Sequence, residues 1–345
     1  DAVQEIATPV GAVQPTGLDL KLDDTGQPAV AFTGSDPQGR YCGAHDAVIA
    51  RTDGTDWTTT IAAVDSGDAA SGEPGSDAGF VVGQWPALAF DDQGDPAVLY
   101  RDVHFGSLQR DDQFRADAEI ALAQPGGGFD HDVVDLGDGA GTHGRLAFDS
   151  EGRPVAAYAV PVEKAESRLG VWVARLVDGE WERVQLYDGE PRDQIDLVVT
   201  DRIAVAFTDV GASSARLREL PAGADFTDPT AWTNERVGRG PYDEGRHVSL
   251  ALDPSGEPVL AYHACKRLTD NGTSCNLNDE ALVVATRTAP GEWTYEVVRA
   301  AEGATCGRFT SLAFDDQGIA WLGFRCSVPV DGGFEPRPLV AWREW

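Results

Sequence analysis

Five basic side chains in a strongly acidic chain raise the first chemical question. The sequence holds 345 residues, with 27 Lys+Arg against 57 Asp+Glu and a formal charge of -30. Against that background Arg101, Arg246, His263, Arg308 and Arg325 stand at matching places of an internal repeat, with His247, Trp85, Phe309 and Tyr262 beside them. Guanidinium forks donate paired hydrogen bonds to a carboxylate or sulfate, and ring faces take the apolar side of a sugar. Such a group suits an acidic saccharide or another anionic ligand. The competing reading is that each arginine is neutralised by a local acid such as Asp102, Asp209 or Glu244.

These positions become comparable only through the repeat. Residues Ala87 to Tyr100 read Ala-Leu-Ala-Phe-Asp-Asp-Gln-Gly-Asp-Pro-Ala-Val-Leu-Tyr. The pattern returns at Asp19 to Phe32, Arg145 to Tyr158, Ser249 to Tyr262 and Ser311 to Phe324, with a copy shortened at its turn from Asp196 to Phe207. The last apolar residue before each turn (Leu22, Phe90, Phe148, Val199, Leu252, Phe314) recurs every 51 to 68 residues, which makes six units. Two apolar or alternating runs flank an Asp-Asp-x-Gly type turn, the signature of a β-hairpin. A third run follows, then a tight turn ending in an aromatic, as in Asp178-Gly179-Glu180-Trp181 and Pro290-Gly291-Glu292-Trp293, and a fourth run. Four strands in about 55 residues make a propeller blade. The expectation is an all-β, six-bladed β-propeller of four-stranded blades, one domain over residues 1–345, with its last blade closed by an N-terminal strand at Val3 to Val10.

In that architecture the loops between second and third strands share a rim with the entry to the first strand, and function concentrates on such loops. Here they are long: Thr33 to His45, Arg101 to Asp117, Ala159 to Leu169, His263 to Glu280 and Arg325 to Arg337. First strands are entered through Thr16, Gln84, Thr142, Asp193, Arg246 and Arg308, followed by Gly17, Trp85, His143, Gln194, His247 and Phe309. Second strands are left through Thr33, Arg101, Ala159, Thr208, His263 and Arg325. The basic and aromatic residues named above therefore fall at one expected mouth. Because they differ from blade to blade, they argue for one ligand site instead of six.

Composition narrows the partners. A chain this acidic repels phosphates, so nucleic acid is disfavoured, and no apolar run approaches the roughly 18 residues that span a bilayer, so no membrane insertion is expected. The sequence has no G-x-S-x-G elbow and no H-E-x-x-H, and Gly126-Gly127-Gly128 is not followed by a helix signal. No cofactor is called for. Calcium is a candidate only through the paired turn acids (Asp23-Asp24, Asp91-Asp92, Asp315-Asp316) and through Asp111, Asp112, Asp270 and Asp279, while Asp and Gly are also what tight turns demand. The chain begins at Asp1 without a signal-like segment and carries Cys42, Cys265, Cys275, Cys306 and Cys326, which together suggest a processed chain in an oxidising compartment: secreted, periplasmic or at the cell surface. Cys306 and Cys326 are nearly equidistant from the hairpin turn of the sixth unit, so strand pairing sets them face to face. Those two are expected to form a disulfide, Cys265 and Cys275 bracket a loop that a second bridge would restrain, and Cys42 is then left free.

The turns before the fourth strands resemble those of the sialidase-like propellers. Thr52-Asp53-Gly54-Thr55-Asp56-Trp57 is a compressed version of the Asp-box S-x-D-x-G-x-T-W, and the Gly-Glu-Trp turns are further variants. The resemblance implies three arginines for a substrate carboxylate, a role open to Arg246, Arg308 and Arg325, and a tyrosine nucleophile, open to Tyr262. The six-fold repetition also resembles six-bladed sugar-binding lectins. Three functions follow: a propeller that binds a glycan or other anionic small molecule without chemistry, a glycoside hydrolase or lyase using a carboxylate pair as acid and base, or a protein-interaction scaffold with an acidic wall.

Overall fold

The computed structural model describes residues 17–34, 45–64, 79, 81–104, 116–137, 139–161, 168–239, 243–265, 280–298 and 304–345. Every regular element among them is a strand, and the fold is a six-bladed β-propeller of antiparallel sheets. The chain forms two compact units, Asp1–Asp188 and Gly189–Trp345.

The first unit holds three four-stranded sheets. They are β1 (Leu18–Leu22) to β4 (Trp57–Ala63), with β2 (Pro28–Gly34) and β3 (Asp46–Thr52) between; β5 (Val81–Phe90), β6 (Pro96–Val103), β7 (Ala116–Ala123) and β8 (Phe129–Asp135); and β9 (Thr142–Phe148), β10 (Pro154–Val160), β11 (Gly170–Val177) and β12 (Glu180–Tyr187). The second unit holds β13 (Asp196–Val199), β14 (Ile203–Asp209), β15 (Ser214–Leu220) and β16 (Glu235–Val237). Then come β17 (Asp243–Leu252), β18 (Pro258–Cys265), β19 (Glu280–Ala289) and β20 (Glu292–Val298), and finally β21 (Thr305–Phe314), β22 (Ile319–Val330) and β23 (Gly333–Glu344). The last sheet has three strands among the described residues, and the expected closing strand at Val3 to Val10 lies outside them.

The core sits between neighbouring sheets. Ile49, Val82, Leu88 and Val98 pack together between the first two, and Leu99, Ile120, Leu146 and Tyr158 between the second and third. In the second unit Leu217, Val248, Leu260 and Val283 fill one such layer, and Val259, Leu282, Leu312 and Phe324 the next. A second strand is covered on both faces, which is why β10 and β18 are buried from end to end and β10 reads as a continuous apolar run instead of an alternating one.

The hairpin turns repeat one device. Asp23, Asp91, Asp149, Asp253 and Asp315 each accept, at one carboxylate oxygen, the amides of the residues two and four further on, at 2.8–3.0 Å. A glycine three residues after each Asp then takes the left-handed backbone, with φ between 73° and 85°. The Thr25 hydroxyl and the Gln27 amide hold the Asp23 carboxyl down at about 2. The aromatics of the outer turns latch sheet to sheet: Trp181 Nε1 donates to Asp132, and Trp293 Nε1 to Glu235, at 2.8 and 2.9 Å.

Cys306 and Cys326 are register partners and form a disulfide. Cys265 is also disulfide-bonded, while Cys275 and Cys42 lie outside the described residues, as do Asp111, Asp112, Asp270 and Asp279. The expected loop from Arg325 to Arg337 is a correction. The ladder continues past Cys326 to Val330↔Gly333, because Gly332 makes a tight turn at φ 95° that lets β22 and β23 pair over twelve residues each.

Candidate functional site

The inner strands enter their sheets through a shared backbone irregularity. Pairing shifts between Gln84 and Ala87, between Arg246 and Ser249, and between Arg308 and Ser311; β9 shifts against Ala157 and Ala159. At each break one residue is left-handed although it is not glycine: Trp85 (φ 46°), His143 (54°), His247 (51°) and Phe309 (54°). Asp193 (φ 61°) leads into the fourth sheet and Gly17 (φ 143°) into the first. Such a conformation costs on the order of 1–3 kcal/mol for a bulky residue and persists only where packing enforces it, most often at functional sites.

The enforcement comes from glycines two residues earlier. Gly83, Gly141, Gly245 and Gly307 are left-handed as well (φ 79° to 112°) and press on the preceding sheet. A Cβ on Gly83 would lie 2.7 Å from Ala47 Cα, and on Gly245 only 2.1 Å from Ala215 N. The last residues of the preceding second strands clasp them: Thr33 Oγ1 donates to Gly83 O at 2.5 Å and Thr208 Oγ1 to Gly245 O at 2.6 Å. The expected exit positions Thr33 and Thr208 are therefore structural. The Gly-x-Trp/His/Phe spacing at 83/85, 141/143, 245/247 and 307/309 was legible in the sequence and marks these bends.

In the first unit, Gln84 pairs with Arg101 across β5 and β6, and Arg101 Nη1 donates to Gln84 Oε1 at 2.9 Å. The guanidinium lies over the Trp85 ring, 5.5 Å from its centroid, and Trp85 meets His143 edge-on at 5.5 Å. Arg101 is only 2% exposed, so it supports Trp85 instead of presenting a fork to solvent.

In the second unit the expected residues gather on β17, β18, β21 and β22. Arg246 pairs across the ladder with His263, and Arg308 with Arg325. His247 touches the ring of Phe309 at 4.7 Å and lies 6.2 Å from that of His263. Phe309 is 59% exposed, an open aromatic face at the break in the β21–β22 ladder. Arg246 Nη2 is paired with Asp243 Oδ2 at 2.8 Å, and Arg308 Nη2 with Glu280 Oε1 at 2.5 Å. Neutralisation by local acids is thus real, through Asp243 and Glu280, while Glu244 serves Arg239 instead. Arg308 nevertheless keeps nearly half its side chain exposed, and Arg325 is exposed and makes no ion pair among the described residues. Tyr262 corrects the expectation: it is fully buried in the core and its hydroxyl donates to Glu244 Oε2 at 3.3 Å, because an interior strand position turns it between sheets.

The electrostatics of this rim are one-sided. Burial would raise the Glu280 carboxyl, but His263 and Arg308 outweigh it through hydrogen bonds and charge and hold it at about 2, a permanent anion. Burial pushes the His247 imidazole down to about 4, against the pull of Asp193 and with the repulsion of His263, Arg308 and Arg246. His247 is therefore neutral at pH 7.

No protein family matches the chain, and no curated protein does. Among solved structures it resembles a protein of unknown function from Dyadobacter fermentans DSM 18053 (13% identity, TM-score 0.53, covering 94% of this chain and 93% of that one). It also resembles the Hadza microbial sialidase Hz136 (13%, 0.51, 89% and 62%) and the Kuenenia stuttgartiensis hydrazine synthase (10%, 0.56, 95% and 80%). The similarity to a sialidase-like propeller read from the Asp-box-like turns is one of fold.

Proposed function

We propose that this propeller binds an acidic carbohydrate, or a similar anionic ligand, at the second-unit rim, without chemistry. The observation that carries the reading is the exposed Phe309 ring beside the cross-strand Arg308 and Arg325. A ring face stacks on the apolar side of a sugar, and guanidinium groups take its carboxylate in charge-assisted hydrogen bonds. Glu280 anchors Arg308 from one side, which reduces the side-chain freedom lost on binding. The Cys306–Cys326 disulfide supports an oxidising location, outside the cytosol. The likeness to a sialidase adds analogy at the level of fold only. A hydrolase acting at this rim would need a carboxyl there able to give up a proton near neutral pH, and Glu280, held at about 2, is the opposite of such an acid.

The test is a glycan array followed by calorimetry on the acidic hits. Sialylated or uronate-bearing glycans should bind and their neutral counterparts should not, with Arg308→Ala and Phe309→Ala each weakening binding more than about tenfold. No binding to any acidic glycan would overturn the reading, and turnover of a fluorogenic sialoside would replace it with the hydrolase.

A further inference from the structure

The second sheet carries a separate group of side chains that the rim does not use. Tyr100 and Asp102 on β6, and His104 just past its end, alternate onto one face of the chain, while β7 sets Glu119 opposite Tyr100 and Asp117 opposite Asp102. Asp102, His104 and Asp117 have no exposed surface, and Glu119 is 6% exposed. Directly opposed like charges destabilise a ladder, and buried carboxylates demand a compensating partner. His104 points into the group: its Nε2 lies 3.2 Å from Asp117 Oδ2 and 3.4 Å from Asp102 Oδ2. Its Nδ1 has no hydrogen-bond partner and its Nε2 faces only these two carboxylates, an incomplete environment for a fully buried imidazole.

Asp102, His104 and Glu119 each bring one ligating atom within 4.8 Å of the other two, and no other trio among the described residues does so. An ion held at about 2.0–2.2 Å by such atoms needs opposite ligands no more than about 4.4 Å apart, so small side-chain rotations close the remaining gap. The carboxylates are already oriented. The Gly79 amide donates to both Asp102 oxygens (2.8 and 2.7 Å), the Gly137 amide to Asp117 Oδ1 (2.5 Å) and the Tyr100 hydroxyl to Glu119 Oε2 (2.9 Å). A single imidazole among carboxylates favours borderline transition metals over calcium, which takes oxygens alone, and the lack of thiolates argues against soft ions.

We propose that Asp102, His104 and Glu119, with Asp117 beside them, form a binding site for a first-row divalent cation of the zinc or manganese kind. The ion would tie the ends of β6 and β7 to Gly79 and to the segment following β8. It is distinct from the glycan rim and does not depend on it.

The experiment titrates Zn2+ and Mn2+ separately into chelator-treated full chain by calorimetry, then records X-ray absorption on the loaded protein. The expected result is one equivalent per chain, a mixed nitrogen and oxygen shell, and a raised melting temperature. Affinity should fall more than about a hundredfold in His104→Ala and Asp102→Asn, and about tenfold in Tyr100→Phe, which only removes an orienting hydrogen bond. Three results would overturn the site: no stoichiometric binding by folded wild type, a shell of oxygen alone, or affinity indifferent to His104→Ala. The absorption measurement uses the wild-type chain, so a variant that fails to fold does not shield the proposal.

Discussion

The two ends of the inner strands obey opposite rules. At the hairpin end the same residue does the same work in five sheets, with Asp23, Asp91, Asp149, Asp253 and Asp315 closing identical turns through identical amides. At the bends that break the ladders beyond those hairpins the backbone repeats while the side chains change: Trp85, His143, His247 and Phe309 share a left-handed conformation and little else. Repetition of side chains marks what the fold needs. Repetition of a costly backbone under changing side chains marks what the fold displays.

Five changes sharpen or break that contrast. Gly245→Val places a side chain 2.1 Å from Ala215 N at φ 90°, so the display backbone cannot form; a loss above about 4 kcal/mol in urea denaturation, or failure to fold, is expected. Replacing Cys306 and Cys326 together by Ser opens a link of sequence separation 20 and should cost about 3 kcal/mol. Asp253→Ala removes an acceptor for the Ser255 amide and hydroxyl and the Glu257 amide, and should cost about 1–2 kcal/mol without altering glycan affinity. A binding defect in that variant would mean the two ends are not independent.

Acid should act through the rim. His247 takes up a proton near 6.5 when unfolded but only at about 4 when folded, so between those values the unfolded chain binds more protons and stability falls as pH falls. Glu280, folded at about 2 against an ordinary 4.5, extends the loss in the same direction to lower pH. Denaturation midpoints measured from pH 7 to 4 should decline in the wild type and flatten above about 4.5 in His247→Gln. The smallest stability effect is expected from Phe309→Gly, which relieves a left-handed residue whose ring is already 59% exposed; stability should rise by no more than about 1 kcal/mol while glycan binding is lost. A large destabilisation would show that Phe309 is structural.

Much of this is legible in the sequence. The six units, the hairpin turns at each Asp and the pairing of Cys306 with Cys326 all follow from local rules, since turn chemistry and strand register act over a few residues. Tyr262 does not reach the mouth because β18 is covered on both faces, which its place in the repeat alone does not say. The same gap concealed that Arg101 props Trp85 while Arg308 faces outward. Asp102 and His104 stand two apart, too little by itself to mark a site; Asp117 and Glu119 reach them only across a ladder.

Local order, then, was written in the residues themselves: a short carboxylate beside a glycine closes a turn wherever it occurs, whatever surrounds it. Which arginine meets which acid, and which imidazole is sealed among carboxylates, required the strands to pair and the sheets to stack. Those contacts join residues far apart in the chain, and their energies depend on burial, which no stretch of sequence possesses until the rest has folded around it.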